Sequence, residues 1–395
     1  MSAPVIVGAT RTAIGRSFKG TLVNTPTEQL ATAILPEVIR RSGVDPSDVN
    51  DVIFAETNYG GGDVARYAAV ASGMDDVPGQ AVSRHCAGSL TAIGNAAAQV
   101  GSGMENVVVA GGVQSLSTGP LMKWRVPTPG GEMTFTEPWI PPSHPETPDA
   151  PTMDMAITVG WNTAQRVGIS REEMDAWAVR SHERAIAAID EGRFVDEIMP
   201  LKVQLPDGSM VDFTVDEFPR RGTSMEKLAS LPVLHPEIDG FSITAGNSSG
   251  MNDAAAAVTV VNDEYASAHG LDAMASVRAW ASVGVPPRDC GLGAVKVIGP
   301  ALERAGLEVS DVALWEINEA FASVPIAACR EHGIDEDLVN VSGSGCSLGH
   351  PIAASGARMV TTLIYELKRR GGGIGVAAMC AGGGQGGAVV IEVKG

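Results

Sequence analysis

Toward its C-terminal end the chain reads "VAAMCAGGGQGGAV" (376–389), which sets Cys380 between an apolar run and five glycines. Taken alone, Cys380 reads as a core thiol, because free cysteine is among the most buried residue types. Three other stretches carry groups able to do chemistry. In "SRHCAGSLTAIGNAAAQVGSG" (83–103), Cys86 stands at or just before the start of a small-residue helix, with Leu90, Ile93, Ala97 and Val100 on one side and Gly101 stopping it. Backbone N–H groups and the helix dipole at that position favour a thiolate, which predicts a pKa below the ordinary value of about 8.5. A small buried residue where two helices meet explains Cys86 equally well.

In "VSGSGCSLGHPIAASGAR" (341–358), His350 lies at an element boundary, and Pro351 suits the first turn of a helix continuing through Ala353, Ala357 and Val360. Such a histidine is either a base or a capping or core residue. In "WEINEAFAS" (315–323), a strand runs into a turn at Asn318 and Glu319. These side chains either hold the turn by their own hydrogen bonds or, for Asn318, hold a water or donor toward a substrate carbonyl. Gly382, Gly384 and Gly387 fit G-x-G-x-x-G, but a dinucleotide fingerprint opens a helix and has an acidic residue about 20 positions further on. The glycines instead let a ligand approach bare backbone, with N–H groups free as donors.

The elements that must position these groups show an internal repeat. "AILPEVIRRSGVDPSDVNDVIFAE" (33–56) and "VIGPALERAGLEVSDVALWEINE" (297–319) share R-x-G-x-x-x-S-D-V, apart from one extra residue near Gly43. Each predicts an amphipathic helix, a turn and an apolar strand, so two halves of like topology follow. Further strands are predicted at 5–9, 107–112, 256–262, 275–283 and 374–380. They lack clean polar alternation, which implies sheets covered by helices on both faces. Residues 127–151 hold eight prolines, which rules out regular helix and most strand. A helix follows, opened by a Ser170/Glu173 capping box, striped by Met174, Trp177, Ala178, Ala185 and Ile189, and ended by Gly192. Residues from about 120 to 250 read as an excursion over the core, where binding determinants concentrate.

With 28 basic against 46 acidic residues the net charge is −18, which argues against a nucleic-acid or anionic-membrane surface. An anionic ligand must find a local basic patch. No run reaches membrane-span length, and the apolar start is too short for a signal peptide. Five scattered cysteines at 86, 290, 329, 346 and 380 show neither a disulfide framework nor a metal-ligand spacing, so the expectation is a reducing, cytoplasmic setting with no metal.

Taken in order, the Cys86 helix, "TAGNSSGMNDAAAA" (244–257), "NEAFA" (318–322), "GHPIAASGAR" (349–358) and "CAGGGQG" (380–386) resemble the thiolase family of acyl-CoA acyltransferases over essentially the whole chain. The resemblance implies an α/β fold of two related βαβαβαββ halves stacked in five layers, αβαβα, with an inserted loop domain. Residues 1–119 with a return at about 245–270 would form the first half, 120–244 the insertion and 271–395 the second half. It implies Cys86 as nucleophile, His350 as its base and Cys380 as the group moving the α-proton of the second acyl-CoA. One oxyanion hole would comprise His350 and a water on Asn318, the other the N–H groups of Cys86 and Gly382. The pantetheine arm would pass Ser249, Ala320 and Phe321. Arg220, with Arg221 or Lys227 close behind, would meet the nucleotide phosphates. Coenzyme A and acyl-CoA enter as substrates, no cofactor is tightly bound, and the assembly is a homodimer or homotetramer.

The chain departs from the family pattern in three places. "CAGS" puts Gly88 and Ser89 where Ser-Gly is usual; "MDMAITVGWN" (153–162) replaces M-G-x-T-A-E-N; and Ser342, Ser344 and Ala353 replace glycines near His350. The second departure reshapes a segment expected to cover the acyl and pantetheine region. Two alternatives stand beside catalysis by a thiolase. One is a thiolase-like protein that binds CoA esters without turnover. The other is a ketosynthase-like condensing enzyme, disfavoured because that group has a second histidine where Asn318 stands and lacks the late cysteine.

Overall fold

The computed structural model describes residues 3–137 and 141–395. Its first half runs β1 (Pro4–Arg11), β2 (Gly15–Arg16), α1 (Thr27–Ser42), β3 (Asp51–Glu56), α2 (Val64–Ala71), β4 (Gly79–Val82), α3 (Gly88–Gly101) and β5 (Val107–Gln114). An excursion follows, with hairpins β6 (Arg125–Pro127)/β7 (Met133–Phe135) and β8 (Leu201–Gln204)/β9 (Met210–Phe213). Its helices are α4 (Asn162–Val167), α5 (Arg171–Asp190) and α6 (Met225–Ala229). The chain then returns through β10 (Asn252–Asn262) and α7 (Asp263–His269). The second half is β11 (Ala275–Gly284), α8 (Leu292–Ala305), β12 (Val312–Ile317), α9 (Ser323–His332), α10 (Ser355–Arg369), β13 (Gly373–Ala381) and β14 (Gln385–Val393).

The strand order is β12-β13-β14-β11-β1-β10-β5-β3-β4. Read outward from the β1/β11 seam, β1-β10-β5-β3-β4 mirrors β11-β14-β13-β12. The counterpart of β4 shrinks in the second half to one parallel bridge, Val339 to Trp315. The repeat lies where it was expected: α1 and α8 each end on a left-handed glycine, Gly43 and Gly306, and lead through a short 3-10 turn into β3 and β12.

Parity along the buried strands explains the missing polar alternation. On β13, Val376, Ala378 and Cys380 face the α8/α9 side, whereas Ala377, Met379 and Ala381 face the layer of α3 and α10. On β5, Val107 and Val109 pack with α1, and Val108 and Ala110 with the middle layer. Both faces of each strand are covered, so both parities are apolar. The result is five layers: α1 and α2, a sheet, α3 with α10, a sheet, and α8 with α9.

The capping box of α5 is formed by Ser170 and Glu173, and Gly192 follows its last turn with φ +70°. Among the described residues of the proline-rich stretch only the short β6/β7 hairpin is regular, and Pro138 lies outside them. The 153–162 segment is helical: a π-helix over Ala156–Trp161 continues into α4. The helix expected from Pro351 starts later, at Ser355, after a turn in which the Pro351 carbonyl accepts from the N–H groups of Ala354 and Ser355. Among the described residues no helix is long and apolar enough to cross a membrane.

Candidate active site

Both middle-layer helices begin beside the same cavity, and each is preceded by a reactive side chain. Cys86 lies two residues before α3, and His350 five residues before α10. Their mutual placement is set by helix contacts. Ser89 Oγ accepts from the Ala357 N–H at 3.0 Å, so the serine that departs from the family pattern ties α3 to α10. Gly112 on β5 lies so close that an added Cβ would come within 1.9 Å of the Ala353 carbonyl oxygen.

The cavity has a volume of about 320 Å³. Cys86, His350 and Cys380 all line it, as do Gly382, Ser249, Ala320 and Phe321. Ser249 N–H donates to the Ala320 carbonyl at 2.9 Å, which joins the 244–257 segment to the turn after β12. Asn318 is fully buried and is not part of the lining. Its amide nitrogen lies 3.4 Å from both ring nitrogens of His350, too long and too even to be a directed bond to either. Its Oδ1 has no hydrogen-bond partner among the described residues. The structure therefore brings Asn318 against the histidine rather than into the cavity.

The His350 tautomer follows from its partners. Ser355 Oγ donates to the Pro351 carbonyl at 3.0 Å and lies 2.6 Å from His350 Nδ1. With its proton committed, the hydroxyl accepts from Nδ1–H, which leaves the Nε2 lone pair available. Burial and the Arg358 charge lower the His350 pKa to about 4. Gly349, with φ +106°, allows the backbone to pass Asn252, whose Oδ1 accepts the His350 N–H at 3.0 Å.

The expected low pKa of Cys86 is overturned. Burial, then Cys290, push it up to about 12 against the helix-terminal effect. The backbone N–H groups of Gly382 and Cys86 itself act in the opposite direction on this thiol. Cys380, at the end of β13, is raised well above the ordinary thiol value by burial and by Cys290 and Cys86. At neutral pH both thiols are protonated and the imidazole is neutral.

Several groups escaped sequence reasoning. Cys290 lines the cavity and donates to the Ala381 carbonyl at 3.1 Å; nothing in its local sequence points there. Met153, Met155 and Val159, from the divergent segment, form a wall. The π-helix is held there by Ser323 Oγ, which donates to the Gly160 carbonyl at 3.0 Å, and such helices often mark functional sites. Arg220 lies 5.1 Å from the centroid of the Phe218 ring, and Arg16 lies 5.8 Å from the same centroid. Neither guanidinium has a carboxylate within ion-pair distance among the described residues, and Arg16 Nε is buried without a partner. The expected neighbours are engaged elsewhere: Arg221 pairs with Asp190 and Lys227 Nζ donates to the Gly222 carbonyl. Arg16, which lies outside the basic cluster at 220–227, shares the Phe218 ring with Arg220.

This geometry can support thiol acylation: a nucleophile, a neutral imidazole, a second thiol and two N–H donors meet in one apolar cavity. No cluster of metal-ligating side chains occurs among the described residues.

The family models described as "Thiolase, N-terminal domain" and "Thiolase, C-terminal domain" match residues 4–264 and 271–393. An acetyl-CoA acetyltransferase of Pseudomonas aeruginosa is 39% identical over 400 residues, covering 98% of each chain. A 3-ketoacyl-CoA thiolase of Bacillus subtilis is 37% identical over 405 residues, covering 100% of both. The crystal structure of the Bacillus anthracis acetyl-CoA acetyltransferase superposes with a TM-score of 0.87 at 36% identity, over 100% of this chain and 99% of that one.

Proposed function

The chain belongs to the thiolase family, and from that premise we propose that its acyl-CoA acyltransferase reaction runs through a thioester on Cys86. The observation that carries this is the meeting of Cys86, His350 and Cys380 in one cavity, with two backbone N–H groups acting on the Cys86 thiol. In the cleavage direction, His350 Nε2 takes the Cys86 proton as the sulfur attacks the 3-oxo carbon of a 3-oxoacyl-CoA. The N–H groups of Cys86 and Gly382 hold the oxyanion. The bond between C2 and C3 breaks, Cys380 gives a proton to the departing enolate, and acetyl-CoA leaves. The enolate oxygen is held by His350 and a water supported by Asn318. Free CoA, giving its thiol proton to the Cys380 thiolate, then attacks the acyl-Cys86 thioester, and the departing Cys86 sulfur takes back its proton from His350. The reverse sequence is a Claisen condensation, and the covalent intermediate makes the kinetics ping-pong.

CoA and its esters are the substrates in this reading, with no tightly held cofactor. Ser249, Ala320 and Phe321 flank the pantetheine arm, and Arg220 with Arg16 receives phosphate. We divide the chain into halves 1–119 with 245–270, and 271–395, with 120–244 inserted. We assign it to the cytoplasm as a homodimer or homotetramer. Intact-protein and peptide mass spectrometry after mixing with 3-oxoacyl-CoA tests the central step. Acyl adducts on Cys86 that disappear when CoA is added are expected. Binding of CoA esters with no adduct would instead identify a non-catalytic binder.

A further inference from the structure

His85 is a polar group in the cavity that acyl transfer leaves unused. It lines the cavity beside Cys86 and has φ +44°, a left-handed conformation in which histidine is enriched relative to most residues but still uncommon. Its ring lies against Gly382, where an added Cβ would come 3.1 Å from His85 Cγ. The side chain therefore sits next to the proposed oxyanion donor. Neither ring nitrogen has a hydrogen-bond partner among the described residues. His144, whose charge would oppose protonation of His85, is itself saturated. Its Nε2 meets the Ala150 carbonyl at 2.9 Å, and its Nδ1 meets Ser143 Oγ at 2.9 Å. A carbonyl only accepts, so Nε2 carries the proton and Ser143 donates to Nδ1.

The surrounding lining includes Leu116, Pro141, Met153, Met155 and Val159, and no lysine, arginine, aspartate or glutamate among the described residues. A plain alkyl chain packed there would strip water from the His85 nitrogens without replacing its hydrogen bonds. A carboxylate would lose its own hydration without gaining a cation. We propose that His85 is a specificity residue that hydrogen-bonds an uncharged polar group, a hydroxyl or carbonyl, on the acyl chain close to the thioester. The inference rests on Cys86 being the acylated residue.

The test measures Cys86 acylation rates of the full chain with matched CoA esters in which a terminal methyl is replaced by hydroxyl. Propanoyl is set against hydroxyacetyl, butanoyl against 3-hydroxypropanoyl, and pentanoyl against 4-hydroxybutanoyl, with 3-carboxypropanoyl as the charged member. At least one hydroxylated ester should react about tenfold or more faster than its alkyl partner. His85→Phe should abolish that ratio, while His85→Asn, which tolerates the left-handed backbone, should retain part of it. Equal rates within every pair in the unaltered enzyme, a ratio unchanged in His85→Phe, or fastest reaction with the carboxylated ester would each overturn the inference while leaving acyl transfer intact. If no ester acylates Cys86, the acyl-transfer reading fails and this inference fails with it.

Discussion

At Cys86 a helix terminus and two backbone N–H groups favour the thiolate, while an apolar cavity opposes it, and burial prevails. A cysteine–imidazolium pair formed in advance is thereby disfavoured, because burial lowers the His350 pKa to about 4 while raising that of Cys86. Deprotonation waits until substrate supplies a developing negative charge for the N–H donors to hold. Iodoacetamide should accordingly alkylate Cys86 slowly at neutral pH, with a rate that climbs steadily to at least pH 9. Peptide mass spectrometry would follow it. A plateau beginning near pH 5 would reveal an ion pair that this geometry does not support.

Among the elements, α5 of the excursion is tied to the second half through Glu319. Its Oε1 accepts from Trp177 Nε1 at 2.8 Å and Asn340 Nδ2 at 2.9 Å, and its Oε2 from Ser181 Oγ at 2.6 Å and the Cys346 N–H at 3.0 Å. Four donors from α5 and from the loop after α9 thus converge on one buried carboxylate, immediately after Asn318. Glu319→Ala should destabilise the protein by on the order of 3 kcal/mol, read as a lower urea midpoint, because it leaves buried donors unpaired. Glu319→Gln should recover little of this, since its amide NH₂ would face two of those donors. A full recovery would show that the charge and its acceptor geometry are unimportant. The sequence-based alternative of a turn held by its own side chains described this residue too locally.

For the whole molecule, charge is arranged against the bulk tendency. In a chain of net charge −18, Arg16 and Arg220 share one aromatic ring with no carboxylate partner among the described residues. That ring packs against Gly250, a cavity-lining residue, where an added Cβ would come 2.5 Å from Phe218. The two like charges repel, and an anionic ligand relieves the repulsion. Arg16→Ala and Arg220→Ala should each raise KM for a CoA ester by about fivefold at low salt. The effect should shrink as salt screens the site, and kcat should hold. A pantetheine thioester without the nucleotide should be unaffected. Equal effects on both substrates would place these arginines away from the phosphates.

Much of the architecture is determined locally and was therefore legible in the sequence. The β-branched runs, the Ser170/Glu173 capping box and the duplicated helix–turn–strand depend on neighbours a few residues apart, and the structure places them as expected. The resemblance carried by the motifs around Cys86, His350 and Cys380 likewise implied one shared site, and all three line one cavity. Tertiary structure decided the rest. The helix dipole at Cys86 is visible in sequence, but its desolvation depends on residues brought from the excursion and from positions 290 and 380. Asn318 stops short of the cavity, Arg16 joins Arg220 through the ring of Phe218, far from Arg16 in the chain, and His85 lines the cavity. Periodicity encodes which face of an element is apolar; dielectric environment and partnership across distant segments arise only once the layers are stacked.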